Sequence, residues 1–362
     1  MTRPPARLLP ARLAKMAAVM MAASTPSTPV AAGTKASPVV PPAARSAASA
    51  IVPSGRCVAH VLSLPLLTGD GSPGVPVSFD GIEGMAFLGL SQESLGVFER
   101  PGTHYPHGRP LTVETVTGTG KTAETEVDEL RLDRGSAHHV RAVILGQIGD
   151  TRVAGRPVLG VVGYDILGNY DVLMDFPGHT VTLFKESGAP ACPPLPTLLG
   201  ERTYAAPLLP DGRGMMVMLQ VSIGGAPLGM QAEPASNASI VRTADAADIG
   251  VTAATLAGDP RSRTDAGTAI IGRRHRFDHI VIGTWHADAL AADVTGARFN
   301  MLGMDFFRGR RVLFAFPTGM LYFSDTHPAA GAPASAGFSL AQSRLADVAV
   351  QEQDDAPAAP GH

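Results

Sequence analysis

A phosphate-binding motif is the first candidate for chemistry, since residues 115–122 (TVTGTGKT) end in Gly-Lys-Thr. In such a loop, backbone N–H groups surround a phosphate and the lysine neutralises its charge. The motif requires a glycine at its first position, and Thr115 stands there instead. The residues that follow alternate as in a strand, so no helix N-terminus would face a phosphate. This segment therefore predicts the turn of a β-hairpin and no nucleotide site.

Histidines occur in two short groups, and one of them has the spacing of metal ligands. His275 and His279 are four residues apart, which would let both bind one ion if they lay on a helix. Residues 270–282 predict strands and a turn, however, so we expect surface histidines there, and likewise at His138 and His139. The sequence contains no G-x-S-x-G motif and no cysteine–histidine pairing typical of a nucleophile. We therefore expect neither a metal nor a cofactor.

The middle of the chain repeats itself. Residues 163–170 (GYDILGNY) align with residues 303–310 (GMDFFRGR) at an offset of 140 residues, and the apolar positions that follow keep this offset without a gap. Upstream, residues 77–81 (VSFDG) align with residues 221–225 (VSIGG) at an offset of 144 residues. Such a repetition indicates two similar lobes.

We expect an all-β fold in which each lobe carries one short helix. Runs rich in β-branched and apolar residues end at Asp-Gly, Gly-Gly or Pro-Gly turns, which is typical of hairpins. The lobes are predicted at residues 57–188 and 201–326, joined by the proline-rich linker 189–200. The helix of each lobe is predicted directly after a Gly-x-Asp sequence, with Asp165 and Asp305 as N-caps.

The repeated segments also carry a family resemblance. Residues 161–167 (VVGYDIL) and 301–307 (MLGMDFF), each followed by a hairpin that ends in VTLF or MLYF, resemble the bacterial retropepsin-like aspartic proteases. Residues 116–120 (VTGTG) look like that family's flap, and the resemblance covers about 75–325. It implies two tandem β-barrel lobes with a substrate cleft between them, and one Asp-Thr/Ser-Gly loop from each lobe. The candidate substrate-binding glycines that it implies are Gly118, Gly120, Gly163 and Gly303.

The chemistry of that family requires two neighbouring carboxylates that share one proton, since both cannot ionise cheaply at close range. The ionised carboxylate draws a proton from a water molecule, which attacks the peptide carbonyl. This chain departs from the pattern in both lobes, where residues 90–92 (LSQ) and 233–235 (EPA) occupy the two catalytic positions. Leu90 has no titratable group, and Glu233 carries its carboxylate on a longer side chain. Ser91 could keep a hydrogen bond across the lobes and is a further candidate for substrate binding.

An alignment error could hide a true pair of aspartates. The candidates are Asp80, in a predicted turn, and Asp265, which follows a polar stretch and falls where a flap is expected. We instead predict a pseudoprotease that binds a peptide or extended polypeptide segment in its inter-lobe cleft. The alternatives are an active aspartic endopeptidase and a purely structural protein whose cleft is filled.

The two ends of the chain differ in composition from its middle. Seven basic residues precede the first acidic residue, Asp70, and residues 16–23 (MAAVMMAA) form a short apolar run. Residues 1–32 therefore predict a secretory signal peptide and a periplasmic or secreted protein, with a basic tail and a transit peptide as alternatives. Residues 33–56 predict a disordered linker, and residues 327–362 predict a disordered tail.

Composition restricts the fold and the partners. The chain has 362 residues, with 40 Gly and 31 Pro, and only 17% are charged, which disfavours a coiled coil or a mostly helical protein. The net charge of −3 argues against nucleic acid as the main partner, and no apolar run reaches the ~18 residues of a membrane-spanning helix. Cys57 and Cys192 flank the first lobe and would form a disulfide in an oxidising compartment or remain free thiols.

Overall fold

The computed structural model describes residues 55–326 except 70, 117, 190, 201 and 267, and for residues 263–270 it describes no side chains. The predicted signal peptide, nearly all of the first linker and the predicted tail lie outside the described residues, as does Thr117 of the predicted flap. The described residues belong to a single compact unit. The predicted lobe boundaries stay predictions.

Residues 55–189, here called the first half, contain eleven strands and one short helix among the described residues. The strands are β1 (Val58–Pro65), β2 (Gly74–Phe79), β3 (Ile82–Leu88), β4 (Leu95–Glu99), β5 (Pro110–Thr115), β6 (Gly118–Leu132), β7 (Gly135–Gln147), β8 (Arg152–Val153), β9 (Arg156–Val162), β10 (Asp171–Asp175) and β11 (Thr180–Glu186). The helix α1 (Tyr164–Leu167) lies between β9 and β10. Strands thus dominate, as the frequent hairpin turns predict.

Residues 202–326, the second half, repeat this arrangement with two additional short helices. The strands are β12 (Thr203–Pro207), β13 (Leu209–Pro210), β14 (Met216–Ile223), β15 (Ala226–Ala232), β16 (Ile240–Arg242), β17 (Arg261–Ala266), β18 (Thr268–Ile282), β19 (Trp285–Thr295), β20 (Met301–Leu302), β21 (Arg311–Ala315) and β22 (Met320–Ser324). The α-helices are α2 (Thr243–Asp248), α3 (Ala253–Leu256) and α4 (Met304–Phe307), and a 3₁₀ helix covers Phe316–Thr318. Another 3₁₀ helix, Leu195–Leu199, lies between the two halves.

Two eight-stranded sheets contain most of the strands, one sheet in each half. The first sheet has the order β2-β3-β9-β4-β7-β6-β5, with β8 beside β9, and the second has the order β13-β14-β15-β20-β16-β19-β18-β17. Additional pairs, β2 with β6 and β14 with β18, curl each sheet toward a barrel. In both, the strand that leads to a predicted catalytic position pairs in parallel with the strand before Gly-x-Asp. The predicted all-β fold is therefore confirmed.

A third sheet, the shared sheet, joins the halves in the order β1-β11-β10-β21-β22-β12. Its central strands β10 and β21 are antiparallel, and Leu173 lies opposite Leu313. These two leucines occupy equivalent positions of the repeat, so an approximate twofold axis passes between them. The strand β10 is buried at all five positions. One continuous apolar core accordingly contains residues of both halves.

The prediction of aspartate N-caps is wrong. The N-caps of α1 and α4 are Gly163 and Gly303, and neither helix has a side-chain cap. Asp165 and Asp305 lie in the first turn instead, and each reaches a loop of the same half. Asp165 Oδ2 accepts a hydrogen bond from the N–H of Leu95 at 3.1 Å, and Asp305 Oδ2 accepts one from that of Ser239 at 2.7 Å.

The two cysteines form a disulfide. Cys57 and Cys192 are bonded across a sequence separation of 135 residues, with their Cα atoms 5.6 Å apart. Cys57 directly precedes β1, and Cys192 follows β11, which is the neighbour of β1 in the shared sheet. The bond therefore joins the start of the first half to the segment that directly follows it, and the free-thiol alternative does not apply to this structure.

Candidate functional site

The two predicted catalytic positions lie just beyond two equivalent strands. Leu90 follows β3 and Glu233 follows β15, and both strands are largely apolar because each is buried between neighbours. The backbone continues the parallel pairing into the loops. Gly89 N–H donates to Val162 O at 3.1 Å, and Glu233 N–H donates to Leu302 O at 2.9 Å. The paired strands thus place both loops in the same region between the halves.

Leu90, Ser91 and Glu233 come together there. Glu233 Oε2 accepts hydrogen bonds from the N–H of Ser91 at 2.7 Å and from its hydroxyl at 2.5 Å. Glu233 Oε1 accepts one from the N–H of Ala235 at 2.9 Å and a long one from that of Leu90 at 3.4 Å. The carboxylate therefore links the loop of the second half to the loop of the first.

This arrangement is closed to solvent. Leu90 is 0% exposed and Glu233 is 1% exposed, so neither side chain forms the floor of an open groove. Burial raises the pKa of Glu233 above its ordinary value of 4.5, and the hydrogen bonds from Ser91, Ala235 and Leu90 act in the opposite direction. Leu90 carries no carboxyl group, so the two side chains have no proton to share. Its chemistry is that of a buried polar contact between the halves.

A second contact between the halves holds the same loop. The hydroxyl of Ser72, in the first half, lies 2.6 Å from Ala235 O and 2.9 Å from Asn237 Oδ1. Ser72 is 0% exposed. Sequence reasoning missed this residue because its loop between β1 and β2 carries no motif.

The alternative aspartates lie in hairpins. Asp80 occupies the turn between β2 and β3 with φ 52°, and its Oδ1 accepts a hydrogen bond from the N–H of Glu129 at 2.8 Å. Asp265 lies in β17, where its backbone pairs with Ala269 of β18. The carboxylate of Asp80 is therefore engaged with the backbone of β6.

The glycines at the start of α1 and α4 are required by close backbone contacts. A Cβ atom on Gly163 would lie 2.5 Å from Ser94 O, and one on Gly303 would lie 2.3 Å from Ala238 O. Both glycines therefore let the loop after each predicted catalytic position pack against the helix. Substrate contacts by Gly163 and Gly303 stay a prediction.

Substitution of Gly303 by alanine is expected to lower the free energy of unfolding by about 1–3 kcal/mol, because the new methyl group meets backbone that cannot rotate away. Chemical denaturation followed by circular dichroism measures the change. Gly258→Ala is the matched control, since a Cβ there meets nothing within 4 Å. Equal stability of the two variants would contradict the proposed close contact.

The predicted flap is a hairpin whose tip rests on the second half. It consists of β5 and β6, so a strand and not a helix follows the Gly-Lys-Thr sequence, which agrees with the absence of a phosphate loop. Val116 is fully buried in an apolar cluster with Ile240, Ala297 and Met301. Its carbonyl accepts a hydrogen bond from the N–H of Arg298 at 2.9 Å. Gly118 and Gly120 begin β6 behind this tip.

An ion pair adds to the same contact. Arg298 Nη2 lies 2.6 Å from Glu114 Oε1, although the two residues are 184 positions apart in sequence. Glu114 belongs to β5, next to the hairpin tip. The hairpin is therefore fastened to the second half by an apolar contact, a backbone hydrogen bond and a charged pair.

A pocket of about 370 Å³ opens beside this hairpin. We call it the Gln231 pocket, and its lining residues are Glu114, Pro210, Asp211, Gly212, Arg213, Met218, Gln231 and Phe299. The guanidinium of Arg213 donates to Ser91 O at 3.2 Å and to Asp211 Oδ2 at 3.0 Å. The pocket therefore adjoins the loop that carries Leu90 and Ser91.

Gln231 gives this pocket an unsatisfied polar group. The residue is 6% exposed, and its Oε1 has no hydrogen-bond partner among the described atoms. A buried acceptor without a donor is unfavourable. Because this oxygen has almost no accessible surface, the side chain would have to turn toward the pocket for the oxygen to accept an N–H or O–H of a ligand. Sequence reasoning missed Gln231, although it lies two residues before Glu233 and hence on the same side of the chain in β15.

Some side chains of types that can bind a metal ion lie close together. His275 Nδ1 lies 2.7 Å from Asp259 Oδ2, so this histidine is paired with a carboxylate. Among the described residues, one group of three has its ligand atoms close together, namely Glu126, Asp128 and His139. All three are exposed, on strands β6 and β7.

Comparison of the chain with models of protein families gives a match in the second half. Residues 219–306 match the model of the aspartyl protease family. The matched segment runs from β14 to α4 and includes Glu233 and Gly303. It supports an aspartic-protease-like chain. No curated protein matches the chain. Across the described residues, no helix has the length and apolar character needed to cross a membrane.

Proposed function

We propose that this chain is a catalytically inactive aspartic-protease-like protein that binds an extended peptide segment next to its altered catalytic positions. The observation that carries the proposal is the contact of Leu90, through its backbone N–H, with an enclosed Glu233. Peptide hydrolysis in this family requires a water molecule between two carboxylates. Here an apolar side chain replaces one carboxylate. The oxygens of the other accept hydrogen bonds from loop N–H groups and from a serine hydroxyl.

The Gln231 pocket supports peptide binding in particular. Its apolar wall includes Met218 and Phe299, which suit an aliphatic or aromatic side chain, and the free oxygen of Gln231 suits a backbone N–H. Its volume of about 370 Å³ is enough for one or two residues of a peptide and falls within the range of small-molecule pockets. The docked hairpin would cover such a segment from one side.

We also propose a periplasmic or secreted location. Disulfides form and persist in oxidising compartments, and the bond between Cys57 and Cys192 supports such a compartment. The predicted signal peptide at residues 1–32 points the same way.

Digestion of a peptide library between pH 3 and pH 7 tests the catalytic part of the proposal. We expect no cleavage by the purified, oxidised chain in the presence or absence of pepstatin. Cleavage that pepstatin blocks and that Glu233→Gln abolishes would instead establish the alternative, an active aspartic endopeptidase.

Selection from a displayed peptide library tests the binding part. Peptides that bind saturably are expected to lose about tenfold in affinity for Gln231→Leu, which corresponds to one hydrogen bond of about 1.4 kcal/mol. Gln220→Leu is the matched control, since Gln220 is an exposed glutamine on β14. A library without saturable binders, or binders that do not distinguish Gln231→Leu from the control, would overturn the proposed peptide site.

A further inference from the structure

We propose that Glu126, Asp128 and His139 bind one divalent transition-metal ion of the zinc class on the outer face of β6 and β7. The two carboxylates are two residues apart on β6 and therefore project to the same side of the sheet. Val127 of β6 pairs with Val140 of β7, and Glu129 pairs with His138. Between these two pairs, one residue of each strand is skipped in the pairing. The skipped residues are Asp128 and His139, so both belong to the same irregularity of the hairpin.

The distances suit a shared ion. One ligand atom from each of the three side chains lies within 4.8 Å of the others. Ligands on one zinc ion sit at about 2.0–2.2 Å from it, so two of them are separated by up to about 4 Å. Exposed side chains can close the remaining few tenths of an ångström by small rotations.

A groove adjoins these side chains and leaves them open to solvent. Glu126 and Asp128 line this groove of about 770 Å³. An ion could therefore reach them from solution and keep water molecules as further ligands.

The charge of the groove is complementary to a cation. Its lining contains the carboxylates of Asp80, Glu124, Glu126 and Asp128, and the guanidinium groups of Arg109 and Arg141. The lining thus holds four carboxylates against two guanidinium groups. Both arginines pair with Glu124, and Arg141 also lies opposite Glu126 in the strand pairing. His139 Nδ1 lies 2.8 Å from Glu126 Oε1, so a bound ion would replace this direct contact.

The donor set selects the kind of ion. An imidazole nitrogen suits zinc, nickel, cobalt and copper, whereas magnesium and calcium prefer oxygen ligands only. The second half has no equivalent group, because Arg276, Asp278 and Ala289 stand at the corresponding positions of β18 and β19, 150 residues further on. The inference therefore requires one ion per chain despite the internal duplication.

Titration calorimetry of the untagged, chelator-treated full chain tests this site, with zinc ion as the probe and cobalt absorption as a second readout. We expect one ion per chain and no comparable binding of magnesium. His139→Gln and Glu126→Gln should each weaken binding at least about tenfold, since even indirect partners of a metal contribute about 10–100-fold. His138→Gln, the neighbouring surface histidine, should leave the affinity unchanged.

Two results would overturn the inference. One is the absence of zinc binding up to about 1 mM, the weak end of protein affinities. The other is binding that His139→Gln does not weaken relative to His138→Gln. All three side chains are exposed, so circular dichroism and thermal unfolding of the variants should match those of the original chain. The result is independent of peptide binding, because no residue of the Gln231 pocket takes part.

Discussion

Replacing Glu233 with alanine is expected to lower the free energy of unfolding by about 3–5 kcal/mol. The N–H groups of Ser91 and Ala235 and the hydroxyl of Ser91 would lose their acceptor in a site closed to water, and each buried donor left unpaired costs about 1–3 kcal/mol. Chemical denaturation measures the loss, and Trp285, the single tryptophan of the chain, provides a fluorescence signal. Glu83→Ala is the matched control, because Glu83 is an exposed glutamate on β3.

The control should change stability by no more than about 0.5 kcal/mol, as is usual for exposed sites. A loss equally small for Glu233→Ala would show that the carboxylate does not hold the two loops together. Such a result would also reopen the question of a solvent-accessible, catalytic Glu233.

The pH dependence of stability checks the burial of the same group. The pKa of Glu233 is raised in the folded chain, so the folded chain binds more protons than the unfolded one above pH ~4.5. Its contribution to the free energy of unfolding therefore falls as the pH rises from about 4.5 through the folded pKa. Since Glu233→Gln cannot titrate, the stability of the original chain relative to this variant should decline over that range.

Removal of the disulfide is expected to have a comparably large effect. The double substitution Cys57→Ser and Cys192→Ser should lower the free energy of unfolding by about 2–5 kcal/mol, because the bond closes a loop across a separation of 135 residues and restricts the unfolded chain. Denaturant titrations of the oxidised chain and of the variant measure this difference.

Treatment with a reducing agent provides the control for that measurement. It should destabilise the original chain to about the level of the double variant and leave the variant unchanged. If the oxidised chain and the variant unfold at the same denaturant concentration, the disulfide contributes nothing to stability.

The all-β fold and its duplication could be predicted because they rest on local features that recur along the chain. Repeated turns and apolar runs indicate strands, and the constant offset of 140 residues places Leu173 and Leu313 at equivalent positions. The structure sets these leucines opposite each other in the shared sheet. The aspartate N-caps failed as a prediction because the contact of Asp305 with the N–H of Ser239 depends on loop packing and not on the helix alone.

The sequence by itself determined that Leu90 cannot share a proton, since that follows from residue type. Only the tertiary structure decided that Glu233 is enclosed and that Gln231, whose Oε1 has no hydrogen-bond partner among the described atoms, lines the adjoining pocket. The reason is that burial and hydrogen bonding at these positions depend on contacts between segments far apart in the chain. Leu90 and Glu233 are 143 residues apart, and no local pattern specifies how closely two such loops approach.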